Sequence, residues 1–279
     1  MKKIIQFVLT FLICVSLAGC FQVNTLVKVK PDGSGTIEET VLMSKEMVNQ
    51  MNAMAKQMSA LGEDTGKSGK KKGKKQDKDA FNIFNVEDLK KKTNEMGEGV
   101  TYVSSKKITT DTSEGYKAVY AFKDINKVRF NQNPGEKMSP GPAGSDKSPE
   151  EKKEFISFQF TAGNSPSLII KMPKSKTPDE LKGPEEGIKK EQPDEQQSEM
   201  MMAQMKKMFE GMKIGFDVEV VGNIVQTNAT HRKGNRITIM ELDFGKLIAM
   251  PEELKKFSRE NPKTVEEAKQ LMKDIPGIK

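Results

Sequence analysis

From Val23 to Lys30, Val23, Thr25, Val27 and Val29 fall on one side of an extended chain, and Asn24, Leu26, Lys28 and Lys30 on the other. A period of two marks a half-buried strand. Pro31-Asp32-Gly33-Ser34-Gly35 is dense turn chemistry. Alternation then resumes from Thr36 to Met43, with Ile37, Val41 and Met43 on one face and Glu39 as the exception. The pattern predicts a β-hairpin. Ser44 can cap a helix running to about Leu61, on which Met47, Met51, Met54, Met58 and Leu61 make one apolar stripe at spacings of four and three.

Residues 80–97 read as helical, with Phe84, Leu89 and Met96 as apolar points. Val100 to Thr109 and Tyr116 to Phe122 read as paired strands, as do Glu154 to Thr161 and Ser167 to Met172. Glu199 to Met212 is a second Met-rich helix, carrying Met200, Met201, Met202, Met205, Met208 and Met212. Ile214 to Val221, Asn223 to Thr230 and Arg236 to Phe244 continue the sheet, the last two joined by a turn at His231 to Asn235. After Pro251 the chain reads as helical, and Thr264 with Glu267 forms a capping box for a final helix through Met272.

Three stretches interrupt these elements. Residues 62–79 are Lys-rich and predict a flexible loop; residues 131–153 hold Pro134, Pro140, Pro142 and Pro149; residues 173–199 are rich in Pro, Glu, Lys and Gln. The divisions are 1–19 as leader, 20–61 as hairpin and helix, 62–79 as Lys-rich loop, 80–130 as an α/β segment, 131–153 as loop, and 154–279 as strands, Met-rich helix, hairpin and helices. Residues 20–279 make one domain. The fold class expected is α+β: an antiparallel sheet with the amphipathic Met-rich helices packed on one face, and long disordered loops between.

Composition narrows the chemistry. Of 279 residues, 35% are hydrophobic and 30% charged, with no Trp, two Cys and one His. That set argues against a polytopic membrane protein, zinc and iron–sulfur sites, disulfide scaffolds and His-based catalysis. His231 reads as a turn residue, no G-x-S-x-G elbow occurs, and Asp243-Phe244-Gly245 reads as a strand end. Asp32 lacks the further oxygen ligands of a calcium loop. Gly66-Lys67-Ser68 lacks the leading glycine and preceding strand of a P-loop. The reading is of a non-enzyme without cofactor or metal.

The strongest motif lies at the start. Lys2 and Lys3 precede an apolar run from Ile4 to Leu17, which is too short for a comfortable span and suits a secretory leader. It ends in Leu17-Ala18-Gly19-Cys20. This resembles the lipobox of bacterial lipoproteins at all four positions. The resemblance implies cleavage between Gly19 and Cys20, a diacylglyceryl thioether on the Cys20 sulfur and an N-acyl chain. It places the domain on the exported side of the cell membrane or the outer membrane.

Eighteen methionines are many for this length, five of them in 43–58 and six in 200–212. Met47, Met51, Met54, Met58, Met201, Met205, Met208 and Met212 are the candidate surface for an apolar ligand or a partner, because flexible thioethers adapt to varied apolar shapes. Soft sulfur could alternatively hold Cu(I). Lys70, Lys71, Lys72, Lys74 and Lys75 are candidates for contact with an anionic lipid surface. The run lacks interleaved aromatics, so nucleic acid is not an expected partner.

Val27, Val29 and Asp32 to Thr36 close behind the cysteine, with Val218, Val220, Gly222, Ile224 and Asn228, resemble the LppM-like bacterial lipoproteins. That resemblance implies an α+β envelope domain with lipid or glycolipid binding. The function expected is a lipid-anchored envelope protein with a non-catalytic binding or structural role, bound to the membrane through Cys20 and to an envelope protein or lipid. A lipid or glycolipid carrier and a Met-based copper protein are the alternatives.

Overall fold

The computed structural model describes residues 20–62, 82–131, 155–172, 211–250 and 277–278. The leader, the lysine run at 70–75, the loops at 132–154 and 173–199, the second Met-rich helix up to Met208 and the final helix through Met272 lie outside the described residues.

The hairpin forms as the alternation predicts. β1 (Phe21–Val29) pairs antiparallel with β2 (Gly35–Ser44), from Phe21 opposite Met43 to Val29 opposite Gly35. Asp32 sets the turn by accepting from the Ser34 N–H at 3.0 Å and the Ser34 hydroxyl at 2.7 Å. Gly33 takes φ +80°, a left-handed conformation that favours glycine, with the Phe160 ring directly beneath it. Ser44 caps α1 (Lys45–Gly62), accepting from the Met47 N–H at 3.2 Å.

Two short helices, α2 (Val86–Lys91) and α3 (Thr93–Met96), replace the longer helix read over 80–97. Asn85 begins α2 by accepting from the Glu87 N–H. β3 (Thr101–Thr109) and β4 (Ser113–Phe122) follow, then a 3₁₀ turn at Ile125–Lys127 and β5 (Arg129–Asn131), neither of which the hydropathy pattern signalled. β6 (Phe155–Thr161), β7 (Ser167–Lys171) and β8 (Lys213–Val220) fall within two residues of expectation. Asn223 to Thr230, read as a strand, is irregular chain. β9 is only Arg232–Lys233, and β10 spans Arg236–Asp243. The strand does end at Asp243, whose carboxylate accepts from the Lys246 N–H and opens α4 (Phe244–Ile248).

The strands form a seven-stranded sheet in the order β3-β4-β2-β1-β8-β10-β9 and a three-stranded sheet, β5-β6-β7. This corrects the expected architecture. β1 and β8 run parallel, from Gln22 opposite Lys213 to Val29 opposite Val220, so the large sheet is mixed rather than antiparallel. Among the described residues, strands hold about twice as many positions as helices. Among the described residues, the inner face meets the second sheet through an aromatic layer. The Phe130 ring meets Phe216 at 5.0 Å and Phe158 at 6.2 Å, both edge-on. Ile125, Val128 and Ile156 are sealed beside them. Helical contributions are smaller: Val48, Leu89 and Met96 are buried, and Met47 and Met51 pack at the margin of the same cluster. Among the described residues the protein is β-dominated, with few and mostly short helices.

The outer face carries charges in register. The Glu38 carboxylate bridges Lys28 at 2.6 Å and Lys117 at 2.7 Å. Nearer the β9 edge, Asp217 accepts from Arg236 at 2.7 Å and from the Thr238 hydroxyl at 2.8 Å.

Candidate functional site

Cys20 stands one residue before β1. Its carbonyl accepts from the Ser44 N–H at 2.8 Å, an extension of the hairpin ladder that fixes the backbone. Its side chain is half-buried and forms no disulfide. Phe21, the next residue, is already in the core. The cysteine therefore sits at the rim of the folded body with no spacer between them. Four other segments converge there. The Lys45 N–H donates to the Thr112 carbonyl, the Phe244 N–H to the Met212 carbonyl and the Asp243 N–H to the Gly277 carbonyl, while Lys213 is in register with Gln22.

Among the described residues, charges of both signs meet at this end. Asp243 draws in both Lys213, at 3.4 Å, and Lys246, at 3.9 Å, and Lys107 faces Glu114 at 3.9 Å.

Of the eight candidate methionines, the structure places three. Met47, Met51 and Met212 are partly buried and pack against one hydrophobic cluster. The side chains of Met54, Met58, Met201, Met205 and Met208 lie outside the described residues, as do Gly19, Lys70, Lys71, Lys72, Lys74 and Lys75. His231 is exposed in the β9 turn. Among the described residues, no group of three His, Cys, Asp or Glu side chains is placed to hold a metal. No described helix is long and apolar enough to cross a membrane.

The structure also assembles a polar cluster that the hydropathy pattern did not signal as a site. Glu39, the exception in the β2 alternation, is buried on the inner face. One carboxylate oxygen accepts from the Tyr116 hydroxyl at 2.6 Å, and the other from the Lys92 ammonium at 2.5 Å. Lys92 lies at the junction of α2 and α3, so the ion pair ties these helices to the sheet. Tyr120 is sealed nearby on β4 and its hydroxyl has no hydrogen-bonding partner among the described residues. Burial, reinforced by the Glu39 charge, holds both phenols well above their ordinary titration range. A carboxylate interrupting an apolar stripe was the available signal. It marked a buried group but left its partners unnamed, because Lys92 is 53 residues and Tyr116 is 77 residues along the chain.

Comparison of the chain with protein-family models, with characterised proteins and with solved structures returned no match.

Proposed function

We propose that this chain is a lipid-anchored cell-envelope protein with a non-catalytic binding or structural role, attached through acylated Cys20 and presenting its β-rich body on the exported side of the membrane. One observation carries the reading. The Leu17-Ala18-Gly19-Cys20 tetrad ends at the residue before β1, with Phe21 buried and the Cys20 backbone pinned to Ser44. A chain cut before Cys20 would keep the whole β1–β2 ladder, which starts at Phe21. Its new N-terminus and its sulfur would stand together at the rim, where two or more acyl chains could enter a bilayer. Each buried methylene contributes about 0.8 kcal/mol, and two chains hold a protein stably where one does not.

The test is metabolic labelling with palmitate, followed by intact-mass measurement. The wild-type chain should take up label and begin at an acylated Cys20, and Cys20→Ala should take up none. An unlabelled wild type, or label that persists in Cys20→Ala, would overturn the reading.

A further inference from the structure

Glu39 and Lys92 form an unequal ion pair. The Glu39 side chain is 6% exposed on β2, whereas the Lys92 side chain, at the junction of α2 and α3, is 35% exposed. The ammonium can leave for water at little cost, but its departure would strand a buried carboxylate oxygen without a partner. Lys90 and Lys91 pair within their own helix, with Glu87 and Asp88, so of these three lysines Lys92 is the one that reaches the sheet. The apolar hold is small: α2 contributes one buried side chain, Leu89, and α3 one, Met96. Between α3 and β3 the chain turns through Gly97 and Gly99, at φ +125° and +77°, and the space where a Gly99 side chain would begin is open. Glu98 between them pairs with Lys127, both exposed, and such a pair holds little.

The register of β2 with β4 puts a second donor close by. Glu39 lies opposite Ala118, and Tyr116 and Tyr120 stand two residues to either side of Ala118 on the same face. Diagonal neighbours across a ladder are within reach of aromatic and long side chains. Tyr116 already reaches the carboxylate from one side. On the other side the Tyr120 hydroxyl is sealed and has no partner among the described residues. Ala118, fully buried, puts only a methyl group between the two rings.

We propose that α2 and α3 form a hinged lid on the inner face, latched by Lys92 on Glu39, and that Tyr120 is the stand-in donor that takes the freed carboxylate oxygen when the lid lifts. With the lid closed, the hydroxyl lacks an acceptor; with the lid open, the carboxylate oxygen lacks a donor. One bond between them removes both deficits, so the lid opens without stranding a buried charge. Opening withdraws Leu89 and Met96 from the hydrophobic cluster and uncovers the apolar floor beside Glu39. The device does not depend on the lipid anchor.

Hydrogen exchange on the full chain tests this, with Lys92→Met, Tyr120→Phe and the double variant. The amides of Leu89, Lys92 and Glu95, which donate to the carbonyls of Asn85, Asp88 and Lys92, report on the lid. The amides of β1 and β2 report on the body. In the wild type the lid amides should exchange through an opening that leaves β1 and β2 protected. Lys92→Met should raise that opening about tenfold or more, and Tyr120→Phe, which removes no bond from the closed state, should lower it about tenfold. In urea unfolding Tyr120→Phe should cost nothing in the wild-type background but about tenfold in the folding constant beside Lys92→Met, a coupling that a merely space-filling tyrosine would not give. If the double variant does not fold, the exchange of Tyr120→Phe decides alone. Lid amides that exchange only together with β1 and β2, an opening unchanged by Tyr120→Phe, or an equal cost of Tyr120→Phe in both backgrounds would overturn the proposal.

Discussion

Tyr116 and Tyr120 lie four residues apart on β4, share the inner face and differ in one respect: the first hydroxyl has an acceptor and the second has none among the described residues. A buried bond to a charged group is costly to remove, whereas an unpartnered hydroxyl already bears its desolvation cost in the native state. Tyr116→Phe should therefore lose about 1–3 kcal/mol in urea unfolding, and Tyr120→Phe should be neutral or slightly stabilising. Equal losses would show that the hydroxyl at 120 is satisfied. Both phenols are raised by burial, so the sign of the pH effect follows. Their contribution is complete below the ordinary tyrosine value of 10.0 and is lost as pH rises towards the folded values. The chain has three tyrosines. In an alkaline titration followed by phenolate absorbance, two of the three should appear only with the loss of the fold. Gradual titration of all three would contradict their burial.

At the scale of the element, period-two patterning located β1, β2, β6, β7, β8 and β10 closely, most clearly where buried positions alternate with more exposed ones, as along β2. It failed at Asn223 to Thr230, which alternates acceptably but has no neighbouring strand among the described residues, and Val225 there is 97% exposed. Periodicity reports what a strand could bury, not whether a partner is beside it. The outer-face ladder was equally hidden, since Lys28, Glu38 and Lys117 meet only once β1, β2 and β4 are in register. Hydrogen bonds from Lys117 and then Lys28 hold the Glu38 carboxyl below its ordinary value of 4.5. A depressed carboxylate contributes stability that is complete above that value and is lost as pH falls through the lower folded one. The stability gap between wild type and Glu38→Gln should thus be constant near neutrality and shrink as pH falls below 4.5. A gap that widens on acidification would refute the ladder's role. The ladder is partly solvated, so the gap itself should be small, about 1 kcal/mol or less.

For the whole molecule, the architecture was not legible in the sequence, because it depends on contacts between residues far apart along the chain. The Met stripe of α1 suggested helices as the cover of the sheet. What meets it among the described residues is an aromatic layer from β5 and β6, and β1 finds its parallel partner in β8 across most of the chain's length. A three-stranded sheet is near the lower limit of independent stability. Here it shares one buried cluster with the seven-stranded sheet, through Ile156 and Phe158 on one side and Phe216 and Val218 on the other. The two sheets should therefore stand or fall together. Phe158→Ala should cost about 3–5 kcal/mol, in the range for a large buried aromatic, and should lower the hydrogen-exchange protection of β1 and β2 by the same free energy as that of β6. If β6 and β7 lost protection while β1 and β2 kept theirs, the small sheet would be an independent flap, and its aromatic face would be a lid over the large sheet rather than half of one core.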